Sequence, residues 1–217
     1  MARGKTAKPT GDDSGGIPHT ATGFWSSPDN LPNPLRFGPL PSPVVSDHVP
    51  DVVPLITLRL AAVADAEQIR EIYNHEVMHT AATFDLVPRS LPEQQEWLAA
   101  RSRAFATIVA VDGDGAVVGF GALSPYKERA AYRTSVENSV YVRRDLHRRG
   151  IGRQLVGELL ATAELSGFHA VFARINTASE ASIALHRRCG YELVGVEREV
   201  GRKFSRWHDV TVMQRLL

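Results

Sequence analysis

The chain has 217 residues, with 25 Lys plus Arg against 24 Asp plus Glu and a formal net charge of +1. That near-neutrality gives no electrostatic reason to expect nucleic acid or an acidic membrane as partner, and no apolar run approaches the ~20 residues that span a bilayer. Cys189 is the only cysteine and the charged opening MARGKTAKPTGDDSGG runs into no apolar stretch, so a soluble cytoplasmic protein without a disulfide or secretory signal is expected.

Ten of the 13 prolines fall within the first 54 residues. Proline removes backbone donors and blocks helix, and PDNLPNPLRFGPLPSPVVSDHVP shows neither a helical nor a strand period. Residues 1–52 are therefore expected to be a disordered or extended tail, with Phe24, Trp25 and Phe37 its only adhesive side chains. A single domain is expected over residues 53–217.

Within that domain, LITLRL reads as a strand. ADAEQIREIYNHEVMH reads as a helix, with Ile69, Ile72, Tyr73 and Val77 at helical spacing and Asp65 with Gln68 as a capping-box pair. RSLPEQQEWLAARS repeats the logic with Ser90 and Glu93. TIVAVDGDGAVVGFGALS is two apolar runs around Asp112–Gly115, a hairpin. RTSVENSVYV is rich in β-branched and aromatic residues, a strand. GIGRQLVGELLATAELSGF carries an Ile151, Leu155 and Leu159 stripe, a helix. AVFARI is a short apolar run, a buried strand. SEASIALHRRCG is a helix ended by Gly190, and YELVGVEREVG and WHDVTVMQRLL close the chain as strands. The expected fold is α/β, a mixed sheet of about seven strands with four helices on its faces.

Two stretches invite chemistry. His75-Glu76-Val77-Met78-His79 has the H-E-x-x-H form that on a helix sets two imidazoles one turn apart. A zinc site needs a further ligand, and Phe84 and Asp85 stand where one would follow; Glu96 suits a solvated charge on its own capped helix. No metal is therefore expected, and Val77 and Met78 are expected in the core or a pocket wall. The second stretch, SVYVRRDLHRRGIGRQLVGELL, runs from a strand through a basic loop and Gly150-Ile151-Gly152 into a helix. Glycines admit a ligand close to the backbone, and a helix start offers free N–H groups and a positive dipole end, suited to a pyrophosphate. Arg148, Arg149 and Arg153 add charge. It is neither a Walker loop nor a dinucleotide fingerprint, because Leu155 stands where the third glycine would fall.

The same stretch, with SVENSVYV before it and ASIALHRRCGYELVGVEREVGRKFSRWHDVTVMQRLL after it, resembles the GNAT N-acetyltransferase superfamily, and within it the phosphinothricin and methionine-sulfone acetyltransferases. The resemblance covers the chain from about residue 55 onward. It implies a GNAT fold and acetyl-CoA as co-substrate, with the pyrophosphate at His147, Arg148, Arg149, Gly150, Ile151, Gly152 and Arg153 and the thioester arm along Val140, Tyr141 and Val142. Two positions depart from the family pattern. His147 replaces a Gln or Arg three residues before the first glycine, and Ser179 replaces an Asn that meets the pantetheine arm.

Acetyl transfer to an amine needs a base, a stabilised oxyanion and an accommodated thiolate. Alternation puts Glu137, Ser139 and Tyr141 on one face of their strand. The residues alone leave Glu137 equally open as a solvated edge charge or a buried base; the resemblance implies the base, acting directly or through a water. It also sets His186 where many members carry an acidic tyrosine, although a packed structural histidine fits that position as well. Cys189, at a helix C-terminus, reads as a structural thiol. SPYKERAAYRT, with Lys127, Arg129 and Tyr132, is implied to hold an acceptor carboxylate, with Thr80 and Phe84 lining the side-chain pocket. An aminoglycoside acceptor is disfavoured, since these segments set Lys127, Arg129 and Arg133 against Glu128 and Asp85. The expected reaction is acetylation of a small amino acid-like amine. A peptide N-terminus as acceptor and a non-catalytic acyl-CoA sensor are the alternatives, and a homodimer is allowed.

Overall fold

A computed structural model describes residues 55–217; the expected tail, residues 1–52, and the expected domain start at residue 53 lie outside the described residues. The elements follow in the expected order: β1 (Thr57–Leu60), α1 (Ala66–His79), α2 (Leu91–Ala99), β2 (Thr107–Val111), β3 (Val117–Pro125), β4 (Ser135–Val142), α3 (Ile151–Leu165), β5 (Ala170–Asn176), α4 (Glu180–Arg188), β6 (Glu192–Lys203) and β7 (Arg206–Leu216). They build one seven-stranded sheet in the order β1-β2-β3-β4-β5-β7-β6. Every neighbouring pair is antiparallel except β4 and β5, which run parallel.

Local signals explain most of the boundaries. The β2–β3 hairpin closes on Asp112, whose carboxylate accepts from the N–H groups of Asp114 (3.1 Å) and Ala116 (2.9 Å). Ser90 caps α2 as read from the sequence: its hydroxyl accepts from Glu93 N, while the Glu93 carboxylate accepts from Ser90 N at 2.7 Å. The box expected at α1 is not formed. Asp65 makes no side-chain cap bond to that helix. Its carboxylate is instead held by the Arg59 guanidinium at 2.7 and 2.8 Å and by Ala62 N at 2.7 Å. Gln68 turns to the sheet, where its Oε1 accepts from Val117 N at 2.7 Å. A tertiary partner within reach outcompetes the local cap because it satisfies a strand N–H that water does not reach.

The sheet carries a core on each face. On one side Ile69, Ile72, Tyr73 and Val77 of α1 and Leu98 of α2 pack on Val109, Val111 and Phe120. On the other, Ile151, Leu155 and Leu159 of α3 pack on Ile108, Val118, Val136 and Val171. The expected α1 stripe is thus buried. Of Val77 and Met78, both expected in the core or a pocket wall, Val77 is in the core, whereas Met78 is 55% exposed. Each residue advances a helix by about a hundred degrees, which turns Met78 past the edge of the buried stripe that ends at Val77.

Leu159 has no exposed surface and sits mid-helix in the larger core. Leu159→Ala should lower unfolding free energy by about 2–5 kcal/mol, the usual cost of a Leu-sized void, as measured by urea denaturation.

Candidate active site

β4 is the strand that organises the site. Its residues Glu137, Ser139 and Tyr141 share one face and line a cleft of about 260 Å³. Tyr73 of α1 and Thr83 and Phe84 from the segment after α1 form one wall. Arg174 and Asn176 of β5 and Val210 of β7 form the other. Glu137 pairs in register with Phe172 of β5. Among the described residues no hydrogen bond or ion pair engages its carboxylate. Burial pushes that carboxyl above the usual range; Arg174 pulls it back and Glu197 pushes it up again. Arg174 is itself tied to Glu197, with Nη1 donating at 3.1 Å, which blunts its pull on Glu137.

Ring contacts and hydrogen bonds link the cleft wall. Tyr141 stacks on Phe120 at 5.2 Å and meets the Tyr73 ring edge-on at 5.3 Å. The Tyr73 hydroxyl donates to Asp85 at 2.6 Å and lies 3.0 Å from the Thr83 hydroxyl, and burial ahead of the Asp85 bond pushes its pKa to about 12. Phe84 packs against β6 at Gly201, where an added Cβ would collide with the ring. Lys203, at the end of β6 and only 4% exposed, donates its ammonium to Thr83 O at 2.8 Å and Glu76 O at 3.5 Å. Asn176 is fixed by His208, whose Nδ1 is 3.1 Å from its Nδ2.

Beside the cleft the sheet comes apart. β4 pairs β5 only from Ser135 to Glu137, against Ala170 to Phe172, although β4 runs on to Val142 and β5 to Asn176. The remaining backbone of β4, including Val140, Tyr141 and Val142, therefore has no β5 partner. The basic loop starts where β4 ends. His147 bonds back to it, its Nε2 3.0 Å from Val142 O. Arg148 and Gly150 both take positive φ, at 66° and 83°, and Gly150 is the N-cap of α3 with no side chain to satisfy the first turn. Arg148, Arg149 and Arg153 are exposed around it. Gly152 faces α4, where an added Cβ would lie 3.1 Å from a Leu185 methyl. Ser179 is the N-cap of α4, without a side-chain cap bond.

His186 sits on the opposite side of β4 from Glu137, buried against Asn138. The Tyr191 hydroxyl donates to Asn138 Oδ1 at 3.0 Å, which leaves Asn138 Nδ2 to donate to His186 Nε2 at 3.1 Å; His186 Nδ1–H then donates to Ser182 O at 2.8 Å. Burial lowers its pKa, so the ring is neutral with its one proton committed.

Lys127, Arg129 and Tyr132 line a second, open depression of about 450 Å³, which shares no residue with the Glu137 cleft. Its root adjoins that cleft: Tyr126 stacks on Phe172 at 4.0 Å, and Phe172 is the register partner of Glu137. Of the two residues expected in the acceptor pocket, Phe84 lines the cleft. Thr80 instead turns its hydroxyl onto Glu76 at 2.6 Å.

The H-E-x-x-H segment divides between two environments. His75 and His79 are on the surface, their rings 4.7 Å apart. Glu76 is buried and paired with Arg144 at 3.0 Å. Among the described residues no group of three or more His, Cys, Asp or Glu side chains is placed to hold a metal ion.

Sequence reading passed over Arg174, Asn176, Thr83 and Val210 as cleft residues. Arg174 carried a signal, a lone cation within the apolar run AVFARI. Asn176 and Val210 carried none, since they reach the cleft only through strand pairing.

The acetyltransferase (GNAT) domain family matches residues 58–212. The chain is 40% identical over 159 residues, 73% of its own length and 92% of the relative's, to an L-methionine sulfoximine/L-methionine sulfone acetyltransferase of Pseudomonas paraeruginosa. It is 36% identical over 165 residues, 75% of the chain and 96% of the relative, to a phosphinothricin N-acetyltransferase of Streptomyces coelicolor. Its fold is similar to the crystal structure of a GNAT superfamily phosphinothricin acetyltransferase from Sinorhizobium meliloti in complex with acetyl-CoA, with a TM-score of 0.71 and 38% identity, covering 75% of this chain and 88% of that one. With a split sheet, a basic glycine loop at a helix start and these relatives, the chain belongs to the GNAT acetyltransferase family and is an acetyl-CoA-dependent acetyltransferase.

Proposed function

We propose that this enzyme acetylates the amine of a small amino acid-like acceptor by direct attack, with Glu137 as general base. The observation that carries the reading is the state of Glu137: a carboxylate in a cleft, unpaired, with its pKa raised by burial, at the last position where β4 and β5 are joined. The names of the relatives, which act on methionine sulfoximine, methionine sulfone and phosphinothricin, support an acceptor that is an amino acid analogue.

Acetyl-CoA supplies the acetyl group as a thioester. The chain's residues fit it on two counts: the α3 start lacks a side-chain cap and is ringed by Arg148, Arg149 and Arg153, and the backbone of Val140 and Val142 has no β5 partner, so Val140 and the Val142 N–H can bond a pantetheine arm and polarise a carbonyl while His147 holds Val142 O. His147 and Gly150 to Arg153 hold the pyrophosphate, and Ser179 meets the arm at the head of α4. An acceptor ammonium must lose a proton before it can attack, and a base with a pKa raised toward neutrality takes it most effectively. The acceptor side chain rests against Phe84. Its carboxylate turns toward Arg129 and Lys127, since Arg presents a planar fork suited to a carboxylate. His186 acts as an anchor for α4, and the leaving thiolate takes its proton from solvent, because the imidazole proton is already donated to Ser182 O.

Four measurements test the reading. Gly152→Asp puts a carboxylate at the helix start and should abolish acetyl-CoA binding by calorimetry. Gly152→Ala, which asks only a small shift of the flexible Leu185 methyl, controls for folding; unchanged affinity in the Asp variant would sink the assignment.

Glu137→Gln should lower kcat by ~10²–10⁴, the span of a positioned base, with acetyl-CoA affinity kept. In the native enzyme, activity requires ionised Glu137, so kcat/KM falls as pH drops through its raised pKa. Arg174→Met removes the charge that lowers that pKa, and the acid limb of the profile should move to higher pH. An unmoved limb would mean that Glu137 does not set it.

Arg129→Ala should raise KM for amino acid acceptors by roughly ten- to a hundredfold, as for a lost charge-assisted bond. It should barely affect amines lacking a carboxylate. Equal use of an amino acid and its decarboxylated amine by the native enzyme would rule carboxylate recognition out.

A further inference from the structure

Glu76, the glutamate of the H-E-x-x-H segment, has no part in the cleft, yet it is one of few buried charges among the described residues. It is 6% exposed. Its Oε1 accepts from Arg144 Nε at 3.1 Å and its Oε2 from Arg144 Nη2 at 3.0 Å, a two-pronged grip. Its Oε2 also accepts from the Thr80 hydroxyl at 2.6 Å. Burial pushes the carboxyl up, but Arg144 and Thr80 outweigh it and hold it below the usual carboxylate range, so the group is ionised.

The two ends of this pair lie in different functional segments. Arg144 stands in the short 3-10 turn between the end of β4 and the glycine loop, and the same turn receives His147 N at Arg144 O, 3.2 Å away. Thr80 is the C-cap of α1 and opens the segment that walls the cleft: its hydroxyl accepts from Ala82 N at 3.0 Å, and Ala81, Ala82, Thr83 and Phe84 all line the cleft. Lys203 clamps the same segment from the other side through Thr83 O and Glu76 O. A continuous run of charge-assisted and backbone bonds therefore joins the cofactor loop to the acceptor wall, through one carboxylate. Only the Glu76 end of the pair is buried, since half of the Arg144 side chain is exposed, and an apolar side chain would fill the Glu76 position without a charge to satisfy.

We propose that Glu76 and Arg144 are positioning residues that couple the cofactor loop to the acceptor wall, so that filling the glycine loop with coenzyme A orders residues 80–85 against the cleft. The proposal rests on the acetyl-CoA assignment of that loop. Such a link gives ordered binding a mechanical basis: the acceptor wall takes its working shape when the co-substrate is in place.

Hydrogen exchange of the full-length chain, read by mass spectrometry with and without coenzyme A, tests it. In the native enzyme coenzyme A should slow exchange of the amides of residues 80–85 by roughly 5- to 150-fold, the span of ordinary coupling between two sites. Glu76→Gln, and separately Arg144→Lys, which keeps the charge but loses the fork, should still bind coenzyme A by calorimetry while exchange of 80–85 no longer responds. A merely structural pair would speed exchange in these variants with and without ligand alike and leave the response intact, which would overturn the proposal. Absence of any response in the native chain, or loss of coenzyme A binding in both variants, would overturn it too. Failure of the acceptor reading shows separately, as no turnover of amino acids with the exchange response preserved.

Discussion

Strands β4 and β5 stay joined for three residues on each side and then separate, and the rest of the molecule is arranged around that separation. Backbone N–H and C=O groups leaving a sheet must find other partners. Here the backbone of Val140 to Val142 has no β5 partner, and His147 takes up the Val142 carbonyl next to the loop that leads into α3. Glu137 stands at the last joined position. The fork is held open from both faces: Tyr141 is wedged into the Tyr73 and Phe120 rings on the α1 side, and Asn138 is bolted to His186 and Tyr191 on the α4 side. Alternate residues of a single strand thus serve the site and its support.

The buried charges divide by what they face. Glu76 is answered by Arg144 and Thr80, and Lys203 by the carbonyls of Thr83, beyond α1, and of Glu76, in its last turn, where the helix dipole favours a cation. Each is hydrogen-bonded: against burial, Arg144 and Thr80 hold the Glu76 carboxyl below the usual range, whereas burial lowers the Lys203 pKa. Glu137 alone among these carboxylates is shielded from water without a direct partner, and its proton affinity rises for that reason. A group kept in that condition by its surroundings is poised to exchange a proton, whereas the paired groups are poised to hold a shape.

Much of the fold was legible in the sequence because its signals are local. Period-2 and period-3.6 runs set the elements in order, Asp112 and Gly115 turned the hairpin, and Ser90 with Glu93 started α2. The signals that misled were also local. Asp65 and Gln68 have the spacing of a capping box, but Arg59 and Val117 N, brought near by the sheet, bind them better. His75, Glu76 and His79 have the spacing of zinc ligands, but the helix that would group them instead carries the glutamate inward to Arg144, 68 positions further along the chain.

What the sequence by itself determined is the catalogue of parts: a mixed sheet with four helices, a strand bearing Glu137, Ser139 and Tyr141 on one face, and a glycine loop before a helix. These follow from backbone periodicity and residue chemistry over a few neighbouring positions. Only the tertiary structure decided which parts meet. The pairing of β5 between β4 and β7 brings Arg174, Asn176 and Val210 to the cleft; the approach of Gly201 seats Phe84; and Glu76 finds Arg144 rather than a metal. Such contacts depend on strand register and on the distance between elements, and no short window of the chain encodes either one.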